Sequence, residues 1–96
     1  MKKSQQLETL FLHCKPARLL ISIKGVNKKR YASNLAKEVD CTYSHCVRIL
    51  KDLKKLGLVT IEKKGRIKLV GLTQLGEDVA FQLENLLRSL GRADEQ

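Results

Sequence analysis

The chain has 96 residues, 43% hydrophobic and 30% charged, enough for one folded core and too few for two ordinary domains. Its net charge of +9 is uneven: residues 1–71 hold 17 Lys/Arg against 5 Asp/Glu, a net +12, while residues 72–96 hold 2 Arg against 5 acids, a net −3. No apolar run approaches the roughly 18 residues of a membrane span, the charged start leads into no secretion segment, and Trp is absent, so a cytoplasmic protein with a polyanionic partner is expected rather than a membrane-bound one.

In chain order, Leu7, Leu10, Phe11 and Cys14 fall at helical intervals, and Pro16 then interrupts the pattern and can open a second helix running through Ile23. Two short helices and one kinked helix fit equally. Residues 24–29 form a polar loop, after which Arg30, Tyr31 and Ala32 suffice only for a stub of strand. Ser33 is the expected cap of a helix over 34–39 that buries Leu35, Ala36 and Val39, and Asp40-Cys41 turns the chain into the next helix. That helix is capped by Thr42, carries Cys46, Ile49, Leu50, Leu53 and Leu56 on one side, and stops at Gly57. Its other side carries Ser44, Arg48, Lys51 and Lys55, so it can dock on a core while presenting donors to a nucleic-acid groove.

Residues 58–62 and 67–72 concentrate β-formers around Lys63-Lys64-Gly65-Arg66, which predicts a hairpin with a cationic tip. Thr73 opens the last helix, where Leu75, Val79, Leu83, Leu86 and Leu90 form a seam. A core this small has limited capacity for another apolar face, so Leu83, Leu86, Leu87 and Leu90 are candidates for packing against an identical copy.

These elements resemble the winged helix-turn-helix transcriptional regulators, particularly the small MarR-like proteins common in archaea. The likeness rests on Tyr-Ala-Ser-Asn-Leu-Ala-Lys-Glu at 31–38, the helix from Ser44 to Lys51, Leu56-Gly57-Leu58-Val59, and Leu72-Thr73 followed by Gly76. It implies a mainly α fold with a small β-hairpin wing (α+β): one domain over 1–96, with a three-helix core, terminal dimerisation helices at 1–14 and 73–90, and a flexible tail at 91–96. It also implies a homodimer that binds double-stranded DNA selectively, its recognition helix (about 42–56) in the major groove and its wing (about 58–72) on backbone or minor groove. Carried onto this chain, Thr42, Tyr43, Ser44, His45, Val47 and Arg48 lie where base edges or phosphates are reached, Arg48 being suited to bidentate contact with guanine. Lys51 and Lys55 are expected on phosphates, and Lys63, Lys64 and Arg66 are the wing contacts. Leu7, Leu10, Phe11, Val79, Leu83, Leu86, Leu87 and Leu90 are the expected dimer contacts.

Other readings stay open. Cys41 and Cys46 with His45 invite a metal- or thiol-responsive regulator, and Cys14 and His13 add to the inventory. Against it, reduced Cys behaves as a small hydrophobe and the Cys41–Cys46 spacing matches no closed zinc motif, so no metal or other cofactor is expected. His45 is either a DNA contact or a residue packed beside Asp52 or the hairpin. The same fold can also serve as a protein-interaction module of a larger complex. A small-molecule effector is allowed but unidentified. No phosphate-cradling glycine loop, carboxylate pair or activated nucleophile is present at usable spacing, so catalysis is not expected.

Overall fold

The computed structural model describes residues 2–11, 15–24 and 30–95, without the side chains of Glu8, Thr9 and Phe11. The readings placed on the 25–29 loop, on His13 and Cys14, and on the Phe11 side chain lie outside the described residues. Helix α1 runs Lys3–Phe11 and α2 Lys15–Lys24, followed by the short strand β1 at Arg30–Tyr31. Helices α3 (Ala32–Glu38) and α4 (Tyr43–Lys55) precede strands β2 (Val59–Lys64) and β3 (Ile67–Leu72), and helix α5 spans Gln74–Gly91. Pro16 sits in the first turn of α2, where its missing N–H breaks no helical hydrogen bond.

Helix α3 begins one residue before its expected cap. Tyr31 is the N-cap residue and makes no side-chain cap bond, and Ser33 lies inside the helix. The reason is tertiary: Ala32 is 1% exposed and must enter the core directly from β1, which pulls the helix start forward.

The α3–α4 turn is closed by backbone bonds from Asp40 N to Lys37 O (3.3 Å) and from Cys41 N to Ala36 O (3.0 Å), with Asp40 left-handed at φ 54°. Lys15 at the start of α2 donates through Nζ to Val39 O (3.3 Å) and Asp40 O (2.9 Å), satisfying carbonyls at this helix end.

The sheet is antiparallel in the order β1-β3-β2. Pairing of Lys63 with Lys68 and of Lys64 with Ile67 carries β2 two residues past the expected end at Glu62, so the reversal is only Gly65-Arg66 rather than four residues. Gly65, at φ +62°, supplies the backbone conformation the two-residue turn requires.

The core is built from Leu19, Leu20 and Ile23 of α2, Leu35 and Ala36 of α3, Cys46, Ile49, Leu50 and Leu53 of α4, and Val59 and Val70 of the sheet, with Ala80 from α5. This is the expected three-helix core with its hairpin. Arg30 ties three elements together: its Nη1 donates to Ser22 O at 2.9 Å and its Nη2 pairs with the Glu38 carboxylate. Helix α5 lies along α2, where Lys24 bonds Glu84 at 2.7 Å and sits 5.6 Å above the Phe81 ring. Val79 and Leu83, assigned from sequence to a dimer seam, pack on the domain's own core. The stretch expected as a tail forms a 3₁₀ helix at Arg92–Glu95, held to α1 where the Ser4 amide donates to Asp94 Oδ1 (3.0 Å) and its hydroxyl to Oδ2. Those two bonds hold the Asp94 carboxyl below its ordinary pKa.

Candidate nucleic-acid interface

Helix α4 is fixed at both ends by local chemistry. The Thr42 hydroxyl accepts from His45 N at 3.2 Å, as an N-cap should. At the other end Gly57 adopts φ +80°, with Gly57 N bonded to Lys54 O (3.0 Å) and Leu58 N to Leu53 O (2.9 Å). Cys46, Ile49, Leu50 and Leu53 are buried, but Leu56, expected to extend that stripe, is 70% exposed. It is the C-cap residue, so the chain leaves the helix there and Leu58 packs on the core instead.

The opposite side of α4 carries the expected donors. Ser44, Arg48, Lys51 and Lys55 are all exposed and lie on the helix face away from the buried stripe. Thr42, Tyr43 and His45 are exposed around the first turn, and Val47 is half-buried on the flank that meets the hairpin.

Strand alternation divides the wing cations. Lys63 and its cross-strand partner Lys68 share the sheet face of Ile61 and Val70, whereas Lys64 falls on the other face beside Glu62, with Nζ 3.7 Å from its carboxylate. The structure thus brings Lys63 to α4 and sends Lys64 away from it. Arg66 occupies the turn.

Two clefts result. One, of about 270 Å³, lies between α4 and the hairpin and is bordered by Lys51, Lys54, Lys63 and Lys68 over an apolar floor. The other, of about 310 Å³, lies between the starts of α3 and α4 and the hairpin turn, bordered by Tyr31, Ser33, Asn34, Tyr43, Arg66 and Lys68. Neither is lined by Asp or Glu.

Sequence reasoning missed Lys54, Lys68, Tyr31, Ser33 and Asn34 as members of this surface. For Lys68 a signal existed: a two-residue Gly-Arg turn places it directly opposite Lys63. Lys54 lies on the flank of α4, between the buried and exposed faces on which the sequence reading concentrated.

The two described cysteines pack in or against the core. Cys46 is fully buried and its Sγ contacts Ala32 O at 3.7 Å. Burial pushes its thiol up to about 11, with the charge and hydrogen bond of the half-buried Cys41 adding to the shift. Among the described residues no cluster of three or more His, Cys, Asp or Glu is placed to hold a metal, and His45 is exposed. Nor is any helix among them long and apolar enough to cross a membrane.

The family model for the winged helix DNA-binding domain matches residues 16–76, from α2 through the first turn of α5. The chain belongs to this family. A winged-helix DNA-binding domain is a binding fold rather than an enzyme.

Solved structures share the winged-helix fold found here. A protein of Archaeoglobus fulgidus superposes with a TM-score of 0.80 at 23% identity, covering 86% of this chain and 94% of its own. A MarR family transcriptional regulator of Silicibacter pomeroyi DSS-3 is 26% identical at a TM-score of 0.75, over 93% of this chain and 67% of that one. MepR, a transcription regulator of the multidrug efflux pump MepA of Staphylococcus aureus, is 17% identical at a TM-score of 0.72, over 94% and 68% of the two chains. No curated protein matches the sequence significantly.

Proposed function

We propose that this winged-helix chain is a cytoplasmic, homodimeric regulator of transcription that binds double-stranded DNA selectively, with α4 in the major groove and the β2–β3 hairpin on the flanking backbone or minor groove. The observation that carries this reading is that α4 exposes Ser44, Arg48, Lys51 and Lys55 on one face while its Tyr43 and Lys51 meet the hairpin cations Arg66, Lys63 and Lys68 at two clefts lined by no acid. Such a surface releases counterions from a duplex while Arg48 reads a base edge. Tyr43, Ser44, His45 and Val47 take the neighbouring base and phosphate positions, and Thr42 is assigned mainly to capping the helix that carries them. Lys64, on the outer hairpin face, serves the wing from the side away from α4.

The dimer uses the apolar positions that the domain leaves open at its helical end. Leu10 is 73% and Leu86 is 39% exposed, and Leu7, Leu87 and Leu90 are half-buried.

The test compares Arg48→Ala with Lys64→Ala/Arg66→Ala on selected and random DNA across a salt series. Loss of Arg48 relaxes selectivity by about 1 to 3 kcal/mol, whereas the wing variant weakens binding to all sequences and flattens the salt slope by about 2. DNA affinity unchanged in both variants would sink this assignment. Fragments selected from a random pool should contain a two-fold symmetric motif with half-sites about one helical turn apart.

A further inference from the structure

The cleft between α4 and the hairpin holds more positive charge than one DNA strand can answer. Lys51 and Lys54 stand one turn apart on α4, and Lys63 and Lys68 face each other directly across the β2–β3 ladder. Like charges at i,i+3 and in direct cross-strand opposition each destabilise the elements that carry them. The ion pairs among the described residues, Lys24–Glu84, Arg30–Glu38 and Lys64–Glu62, involve none of the four. Below them the floor includes Leu50 and Val70, which are 1% and 0% exposed, so an anion seated here meets protein on one side and its attraction to the ammonium groups is strengthened.

Size decides which anion matches. A cavity of about 270 Å³ is about 8 Å across. A DNA strand brings one charge per about 3.4 Å of helix axis, so only about two phosphates can reach it. Four ammonium groups are balanced by a compact anion carrying three or four charges.

We propose that this cleft is a binding site for a small multivalent phosphate, a polyphosphate-type anion, and that its occupation competes with DNA. The second clause rests on the proposed function, because Lys51 and Lys63 cannot serve the anion and the duplex together. The site then couples the concentration of a free phosphate compound to release of DNA.

The probe is tripolyphosphate, titrated calorimetrically into the full chain at constant ionic strength, with orthophosphate and sulfate as comparators. Two variants carry equal charge loss: Lys54→Gln/Lys68→Gln in the cleft, and Lys2→Gln/Lys3→Gln at the start of α1. Wild type should bind one tripolyphosphate per chain about tenfold or more tighter than orthophosphate. The cleft variant should lose that margin and the α1 variant keep it. In a parallel anisotropy assay, with each protein set to the same fractional saturation by DNA, a given tripolyphosphate concentration should displace more DNA from wild type than from the cleft variant.

Equal loss in both variants, or no saturable binding, overturns the site in favour of a diffuse cationic field. A cleft variant that loses DNA affinity while binding tripolyphosphate normally identifies the cleft as a seat for the DNA backbone and also overturns it. Saturable, cleft-dependent binding that leaves DNA in place upholds the site and removes Lys51 and Lys63 from the DNA contacts, so the two readings fail separately.

Discussion

Cys46 holds a thiol at the centre of the core, 0% exposed, where a charge has no water to solvate it. A thiol kept protonated is a poor nucleophile, so at neutral pH Cys46 acts as a small hydrophobe. Its raised pKa has a thermodynamic sign. The folded state holds the proton up to about 11 while the unfolded thiol releases it near 9.0, so between those values the unfolded chain binds fewer protons and stability falls as pH rises. The contribution is fully present below about pH 9, and about 2 to 3 kcal/mol of it is lost by pH 11. The check is a difference, in which whatever both proteins share cancels: urea denaturation of wild type and Cys46→Val at pH 8 and pH 11. Wild type should lose the additional stability relative to the variant. A difference that stays constant with pH would show that burial does not hold the proton on.

At the scale of elements, signals that act within a few residues were readable and those that depend on a partner element were not. Thr42, Thr73 and Gly57 were assigned correctly because a hydroxyl reaching back to the third amide and a left-handed glycine are local devices; Thr73 accepts from Gly76 N at 3.0 Å. Ser33 has the same chemistry but lies inside α3, since burial of Ala32 outweighed the cap. The split of Lys63 from Lys64 needed the hairpin register, and the packing of Val79 and Leu83 on the core needed the position of α5.

Gly76 is the sharpest case. In the sequence it is one residue of the Leu72-Thr73…Gly76 pattern, and in the fold its φ is ordinary and it lies within α5. A Cβ there would stand 1.9 Å from Leu58 O, the same carbonyl that accepts from Thr73 N at 3.1 Å. Glycine is required for close approach of two backbones. Gly76→Ala should therefore cost about 2 to 3 kcal/mol in chemical denaturation, as overpacking against unyielding backbone does. Gly91→Ala, at the end of the same helix with nothing within 4 Å, should be neutral or stabilising by up to about 1 kcal/mol. Similar behaviour of the two variants would contradict the contact.

For the whole molecule, charge and apolar surface are segregated along the chain. The first 71 residues carry the net +12 and form the candidate DNA surface, and the acidic remainder builds all of α5. Because α5 lies on α2 and α1 packs against α5 and the 3₁₀ helix, the two ends of the described chain form one helical platform. Its apolar positions are unevenly employed: Ala80 is fully buried and Val79 and Leu83 serve the core, while Leu86 is 39% exposed and Leu90 half-buried.

For the homodimer proposed above, Leu86→Glu/Leu90→Glu separates association from folding. In a two-fold interface each substitution counts in both subunits, so four leucines are removed together. At about 1.5 to 3 kcal/mol for each fully buried leucine, and less for these partly covered ones, the dimer dissociation constant should rise by about three orders of magnitude or more. Sedimentation equilibrium should show a folded monomer. Affinity for a two-fold symmetric site should fall with it, while the salt slope per bound subunit stays near that of wild type, because the α4 and hairpin cations are untouched. Undiminished dimerisation would move the interface elsewhere, and a monomer that binds the symmetric site as tightly as wild type would remove dimerisation from recognition.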